Sequence, residues 1–261
     1  MKYSGDAGDY VTRAHYRMRL RDWQGAAADV DEANKADATN ESVKAIYPLF
    51  ERKELWLPAV EKLEASIAKD PKNTGALLDE AELLSNEGFF DPARDDIAAA
   101  LKADPKSFRA RVWGGVLAWQ KHDEKRAGEV MELNVDELPK SFGKDLKAAD
   151  ASPDPEVRAE FLLKYKQPWM AFQEVKGVDG SVAKGRALLA LDDIAEAGPA
   201  VRRAVEAHPQ DAAAWEALAQ LELESGNNNE AIAAAERSLK LKPSDTAEET
   251  RRDAQTRLGK K

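Results

Sequence analysis

No cysteine occurs among the 261 residues. That excludes disulfides, thiol nucleophiles and cysteine-ligated zinc, while leaving the compartment open. Histidine is nearly as scarce. His15, His122 and His208 lie far apart, and none has a second histidine or a carboxylate at the H-x-x-x-H spacing that metal ligands use. Valine and isoleucine are thin, and no stretch alternates apolar and polar residues over a strand's length. No run reaches the roughly 18 apolar residues of a membrane-spanning helix, so no transmembrane segment is expected. A basic excess is also missing: the net charge of −9 argues against nucleic acid, because phosphate contacts need a dense basic face. Phosphate-binding G-x-x-x-x-G-K-[ST] loops and G-x-S-x-G elbows are absent.

What is present is alanine and charge. The apolar share is 43% and the charged share 33%, and much of the apolar share is alanine, the residue that loses least on entering a helix. An all-α chain is expected, built either as two conventional domains or as one repeat array.

The prolines supply a period. Pro71, Pro105 and Pro139 stand 34 residues apart, as do Pro209 and Pro243; the middle interval, Pro139 to Pro209, is 70. Asn73–Pro105 (NTGALLDEAELLSNEGFFDPARDDIAAALKADP) reads as two amphipathic helices with Gly88 at their turn. Ala81 lies on the first helix, and Ala93, Ile97 and Ala100 on the second. The unit closing at Pro243 repeats this with Trp215, Leu218 and Ala219, then Gly226, then Ala231, Ala235 and Ser238. Gly88 and Gly226 fall where a helix ends in a left-handed residue. Ala14, Ala26, Val30 and Ala33 mark a first unit, and Tyr47, Ala59, Leu63 and Ser66 a second, in which Pro48 predicts a kink near residues 44–48. Gly115, Ala127 and Met131 mark a fourth unit. Gly185, Ala197, Val201 and Ala204 mark another, whose second helix is expected to begin near Pro199.

A 34-residue helix–turn–helix period with small residues at the helix crossings resembles the tetratricopeptide repeat. The resemblance covers nearly the whole chain. It implies four repeats over residues 1–141, a degenerate repeat or linker helices over 142–177, and two further repeats over 178–243. Residues 244–261 then form a capping helix, with Thr246 and Glu249 at capping-box spacing. The fold it implies is a right-handed superhelical α-solenoid of helix–turn–helix repeats.

Function, by the same resemblance, is a non-catalytic scaffold that binds a protein or peptide partner in a concave groove, with no cofactor and no catalytic or metal residues. The groove would be lined by His15, Arg19, Lys44, Glu51, Arg52, Leu78, Glu82, Asn86, Arg109, Val112, Val116, Trp119 and Gln120, with Arg186, Glu216 and Gln220 in its C-terminal part. Val112, Val116 and Trp119 would form its apolar patch. The co-chaperone subtype grips a terminal carboxylate with lysines, asparagines and an arginine. Here Val11, His15, Ala45, Gly75 and Asp79 hold those places, which argues against it. Trp215 is expected in the core, Trp23 and Trp56 as wedges before second helices, and the Asp95-Asp96 and Asp192-Asp193 pairs as solvated charge.

Two alternatives stand beside the adaptor: a self-associating scaffold, and a bacterial envelope assembly or lipoprotein-type factor. MKYSGDAGDY holds no signal-peptide core, so the chain as written reads as cytoplasmic. It reads as periplasmic or membrane-anchored if an export signal once preceded Met1.

Overall fold

Among the described residues, eight helices are started by a short polar side chain and five hairpins are closed by one left-handed residue. A computed structural model describes residues 5–119 and 138–259, in two compact units that divide between Leu138 and Pro139. Among the described residues all regular structure is helical. The N-terminal unit holds α1 (Ala7–Arg19), α2 (Trp23–Ala36), α3 (Glu41–Phe50), α4 (Lys53–Lys69), α5 (Thr74–Asn86), α6 (Phe90–Ala103) and α7 (Phe108–Trp119). The C-terminal unit holds α8 (Phe142–Asp150), α9 (Pro155–Lys164), α10 (Pro168–Val175), α11 (Val182–Ala190), α12 (Ile194–Ala207), α13 (Ala212–Glu224), α14 (Asn228–Leu241) and α15 (Asp245–Gly259).

The starts follow from chemistry. Asp6, Asp22, Asn40, Asn73, Asp154, Ser181, Asp193 and Asp211 each accept a hydrogen bond from a backbone N–H in the first turn of the helix that follows, satisfying a donor that has no partner inside the helix. The hairpin turns are equally uniform. Arg21, Gly88, Lys166, Asp192 and Gly226 have φ of 62°, 86°, 57°, 59° and 78°. In each case the following residue donates its N–H to the carbonyl five positions back: Asp22 to Arg17, Phe89 to Leu84, Gln167 to Leu162, Asp193 to Leu188, and Asn227 to Glu222. That is the Schellman closure, and it reverses the chain within two or three residues. Two of the five positions are glycine, as the sequence predicts. Three are not, and a side chain there strains the backbone by about 1 kcal/mol or more.

Close helix crossings use small residues. Ala14 and Ala26, Ala81 and Ala93, Ala159 and Ala171, and Ala219 and Ala231 are all buried. At the α11–α12 crossing even a methyl is too large: a Cβ on Gly185 would stand 2.7 Å from Val201 Cγ2 and 3.3 Å from its Cα. Gly185→Ala is therefore expected to destabilise the C-terminal unit by about 1–3 kcal/mol, despite the better helix propensity of alanine. Urea denaturation of the variant checks this, and Val201→Ala in the same chain should recover part of the loss. A net stabilisation by Gly185→Ala alone would refute the close approach.

Two prolines lie inside helices. α3 runs through Pro48, where a kink is expected, to Phe50. α12 does not begin near Pro199 but five residues earlier, at Ile194, with Asp193 capping it. In both, the proline removes one hydrogen bond, at a solvent-exposed position where water can replace it. Gly198, lacking a Cβ, also lessens the clash that proline imposes on its predecessor. The last helix starts two residues before the predicted Thr246 box: Ser244 Oγ accepts from Ala247 N at 3.3 Å. This α15 packs on α13 and α14 through Ala247, Thr250 and Ala254.

The second hairpin departs from the others. Glu51 (φ −58°) and Arg52 (φ −114°) supply no left-handed residue between α3 and α4, so no Schellman closure reverses the chain. α3 packs on α1 and α2, whereas α4 packs on α2 and α5. Three contacts fix the direction of α4. Arg21 Nη1 meets Glu64 Oε1 at 3.4 Å, Gln24 Nε2 donates to Glu61 Oε1 at 2.7 Å, and Lys53 Nζ meets Asp31 Oδ2 at 2.7 Å. As one residue number rises the other falls, so α4 lies antiparallel to α2. Between them sit Trp23, Phe50, Trp56 and Phe89, all buried and packed edge-to-face with ring centroids 5.0–5.8 Å apart.

Candidate functional site

First helices of successive hairpins lie against one another, α1 on α3 and α5 on α7 in the N-terminal unit, and α9, α11, α13 and α15 in series in the C-terminal unit. Side chains join α5 to α7, α9 to α11 and α13 to α15. In the N-terminal unit Arg109 of α7 reaches back to α5, where Nη2 meets Asp79 Oδ1 at 2.7 Å and Glu82 Oε2 at 2.6 Å and donates to the Leu78 carbonyl at 3.2 Å. In the C-terminal unit Glu156 of α9 accepts from Ser181 Oγ and Ala183 N, both at 2.6 Å. Arg186 of α11 pairs with Glu160 of α9 at 2.5 Å, Glu216 of α13 accepts from Ser244, and Arg257 of α15 donates to the Leu223 carbonyl at 2.8 Å.

The residues projected as a groove lining fall into three groups. Leu78, Glu82 and Arg109 come together in the contact just described, with the Arg109 side chain only 7% exposed. Val112 and Val116 are fully buried in the unit's own packing, as is Leu78, with no side-chain surface left to line a groove. The reason is the face each occupies: α7 is apolar on nearly every side, and it buries Val112, Trp113 and Val116. Lys44, Arg52 and Asn86 are at the surface, Lys44 beside Glu41 at 2.8 Å. His15, Arg19 and Glu51 are exposed too. The side chain of Trp119, and Gln120 entirely, lie outside the described residues, as does His122.

Tryptophan placement is mixed. Trp23 and Trp56 wedge into the aromatic cluster. Trp215 is half-buried, with its Nε1 donating to the Pro209 carbonyl at 3.0 Å and Arg237 5.9 Å above its ring. Trp169 stands 53% exposed on α10. An open depression of about 670 Å³ is lined by the 207–213 connection and by Leu241 and Lys242, without a buried polar group aimed into it. Among the described residues no set of three His, Asp or Glu side chains could hold a metal ion, and no helix is long and apolar enough to cross a membrane.

One ionic cluster escaped the sequence reading. Asp96, expected to be a solvated charge, is 1% exposed and pairs with Arg21, which also meets Glu80 Oε1 at 2.9 Å and Glu64 at 3.4 Å. Trp23 Nε1 donates to Glu64 at 3.2 Å. The available signal was weak: Arg21 stands at the turn position where two other hairpins have glycine.

Helix pairs closed by Schellman turns, with small residues at the crossings and first helices in series, define a helical-hairpin repeat protein. The tetratricopeptide repeat model matches residues 78–141 and 182–246, and the chain belongs to that family. The second hairpin, with its reversed α4, lies outside both matched segments. No curated protein matches the chain in sequence. Among solved structures it is similar to YrrB, described as a TPR protein with an unusual peptide-binding site (18% identity, 73% of this chain and 97% of that one, TM-score 0.40). It is also similar to yeast Tom70 (17% identity, 97% of this chain and 54% of that one, TM-score 0.40). Repeats of this family serve as protein–protein interaction scaffolds, and that is the functional class of this chain.

Proposed function

We propose that the chain is a non-catalytic adaptor that binds a partner polypeptide along the first-helix face of its N-terminal unit. The observation that carries this reading is the pairing of α5 with α7 through Arg109, with Lys44, Arg52, Glu82 and Asn86 on a wholly or partly exposed polar surface. Leu78, Val112 and Val116 give that surface a fixed, buried backing. Trp119 and Gln120 belong to the same reading as contacts further along α7 and beyond it. A pre-ordered face of this kind binds without the entropic loss of ordering a loop.

The test compares the immobilised full chain with a Lys44→Glu, Arg52→Glu, Asn86→Asp variant in capture from a cell lysate. Polypeptides that bind the native chain at moderate salt should be lost, at least tenfold, from a variant with unchanged helix content. Retention of the same set by the variant would sink the assignment of this face.

A further inference from the structure

Arg21, Glu64, Glu80 and Asp96 are an unusual thing to find in an alanine-rich repeat packing. Four separate elements contribute: Arg21 from the α1–α2 turn, Glu64 from α4, Glu80 from α5 and Asp96 from α6. Nothing else in this set is cationic, so three carboxylates share one guanidinium. The Glu80 side chain is fully buried, and its Oε2 has no hydrogen-bond partner. Asp96 is 1% exposed. If all three acids ionised, one positive charge would face three negative ones, two of them away from water. Like charges so close, and so poorly hydrated, do not all ionise together.

We propose that this cluster is a proton-dependent latch, which fastens the turn of the first hairpin to α5 and α6 and is weakened as pH rises through neutrality into the mildly alkaline range. The proton resides on Glu80. Burial pushes its carboxyl up to about 8, with Asp96 and Glu64 adding to the effect and Arg21 opposing it. Burial likewise pushes Asp96 up to about 6, against its hydrogen bond from Arg21, with Glu64 and Asp95 as further negative neighbours. Both acids are thus raised above their ordinary values. The folded chain holds protons that the unfolded chain has released, so the contribution is full below the ordinary carboxylate range and is lost as pH climbs to about 8. The latch acts on α5, which also carries Glu82 and Asn86, so the interaction face proposed above and the latch share a helix.

Two measurements on the full chain test this. The carboxyl carbon of Glu80, followed by NMR, should titrate with a midpoint near 8, well above the surface glutamates. In urea, the unfolding constant of the N-terminal unit should rise by up to about tenfold per pH unit between pH 6 and pH 8. Glu80→Gln, which keeps the neutral shape, should flatten that rise. Titration of Glu80 together with the other glutamates would overturn the proposal, as would an equal pH dependence in native chain and variant. If Glu80→Gln does not fold, the NMR titration of the native chain decides alone. Neither readout depends on a partner, so failure of the adaptor reading leaves this result standing and the reverse also holds.

Discussion

Trp56→Ala should cost the N-terminal unit about 3–5 kcal/mol, the range for deleting a large buried aromatic. Trp56 is 1% exposed and its ring stands edge-on to Trp23, Phe50 and Phe89 with centroids 5.8, 5.5 and 5.0 Å away. Those rings come from α2, from the end of α3 and from the α5–α6 turn, so the indole is the common contact of three hairpins. Edge-to-face pairs add about 0.5–1.5 kcal/mol each beyond area. Collapse into the gap is limited because the neighbours are themselves rigid. Trp56→Phe should cost much less, since it keeps a ring and removes Nε1, a buried donor with no partner that is unfavourable where it is. Urea denaturation followed by far-ultraviolet circular dichroism measures both. The two units make a biphasic curve the natural expectation, so the first transition must be fitted separately. A loss under about 1 kcal/mol for Trp56→Ala would show that the cluster does not hold the unit together.

Arg21→Met should be comparably severe at pH 7.5 and milder at pH 5. Methionine keeps much of the stem's bulk and removes the only cation of the cluster, stranding buried carboxylates. Breaking a buried pair from one side typically costs about 3–5 kcal/mol. At pH 5 Glu80 and Asp96, both raised above their ordinary values by burial, carry protons in the folded chain, so less charge is stranded. Urea midpoints of native and variant chains at the two pH values give the comparison directly. Equal losses at both would mean that Arg21 acts by packing and not by charge. Arg21→Gly adds a control: relief of the strain at φ 62° returns about 1 kcal/mol, too little to offset the lost ion pairs.

These two expectations concern features of unequal visibility in the amino-acid sequence. The proline period, Gly88 and Gly226, and the alanines at helix crossings all act locally, through backbone conformation or steric size, and each could be read in place. Lys166 and Asp192 could not, because a side chain at a left-handed position leaves no compositional mark. The start of α12 was hidden by Pro199, since helix-stop rules do not weigh how cheaply water replaces one lost hydrogen bond at an exposed site. Ser244 and Thr246 are both good caps, and only the packing of α15 chooses between them. Asp96 was unreadable for a different reason: its partner lies 75 residues away, and nothing in the local pattern around Asp95 distinguishes a buried acid from a wet one. The groove residues divide on the same ground. Lys44, Arg52 and Asn86 sit where polar residues are expected, whereas the fates of Val112 and Val116 depend on which side of an all-round apolar helix meets its neighbours.

The reversed run of α4 against α2 also bears on how such a chain could grow. Where every hairpin offers its successor the same face, as α11 to α14 do, a duplicated hairpin would meet surfaces already shaped to receive it. The C-terminal unit is in that sense extensible by whole modules. Between α2 and α4 the run is antiparallel, and a copied hairpin inserted there would not meet the surface that the regular hairpins offer.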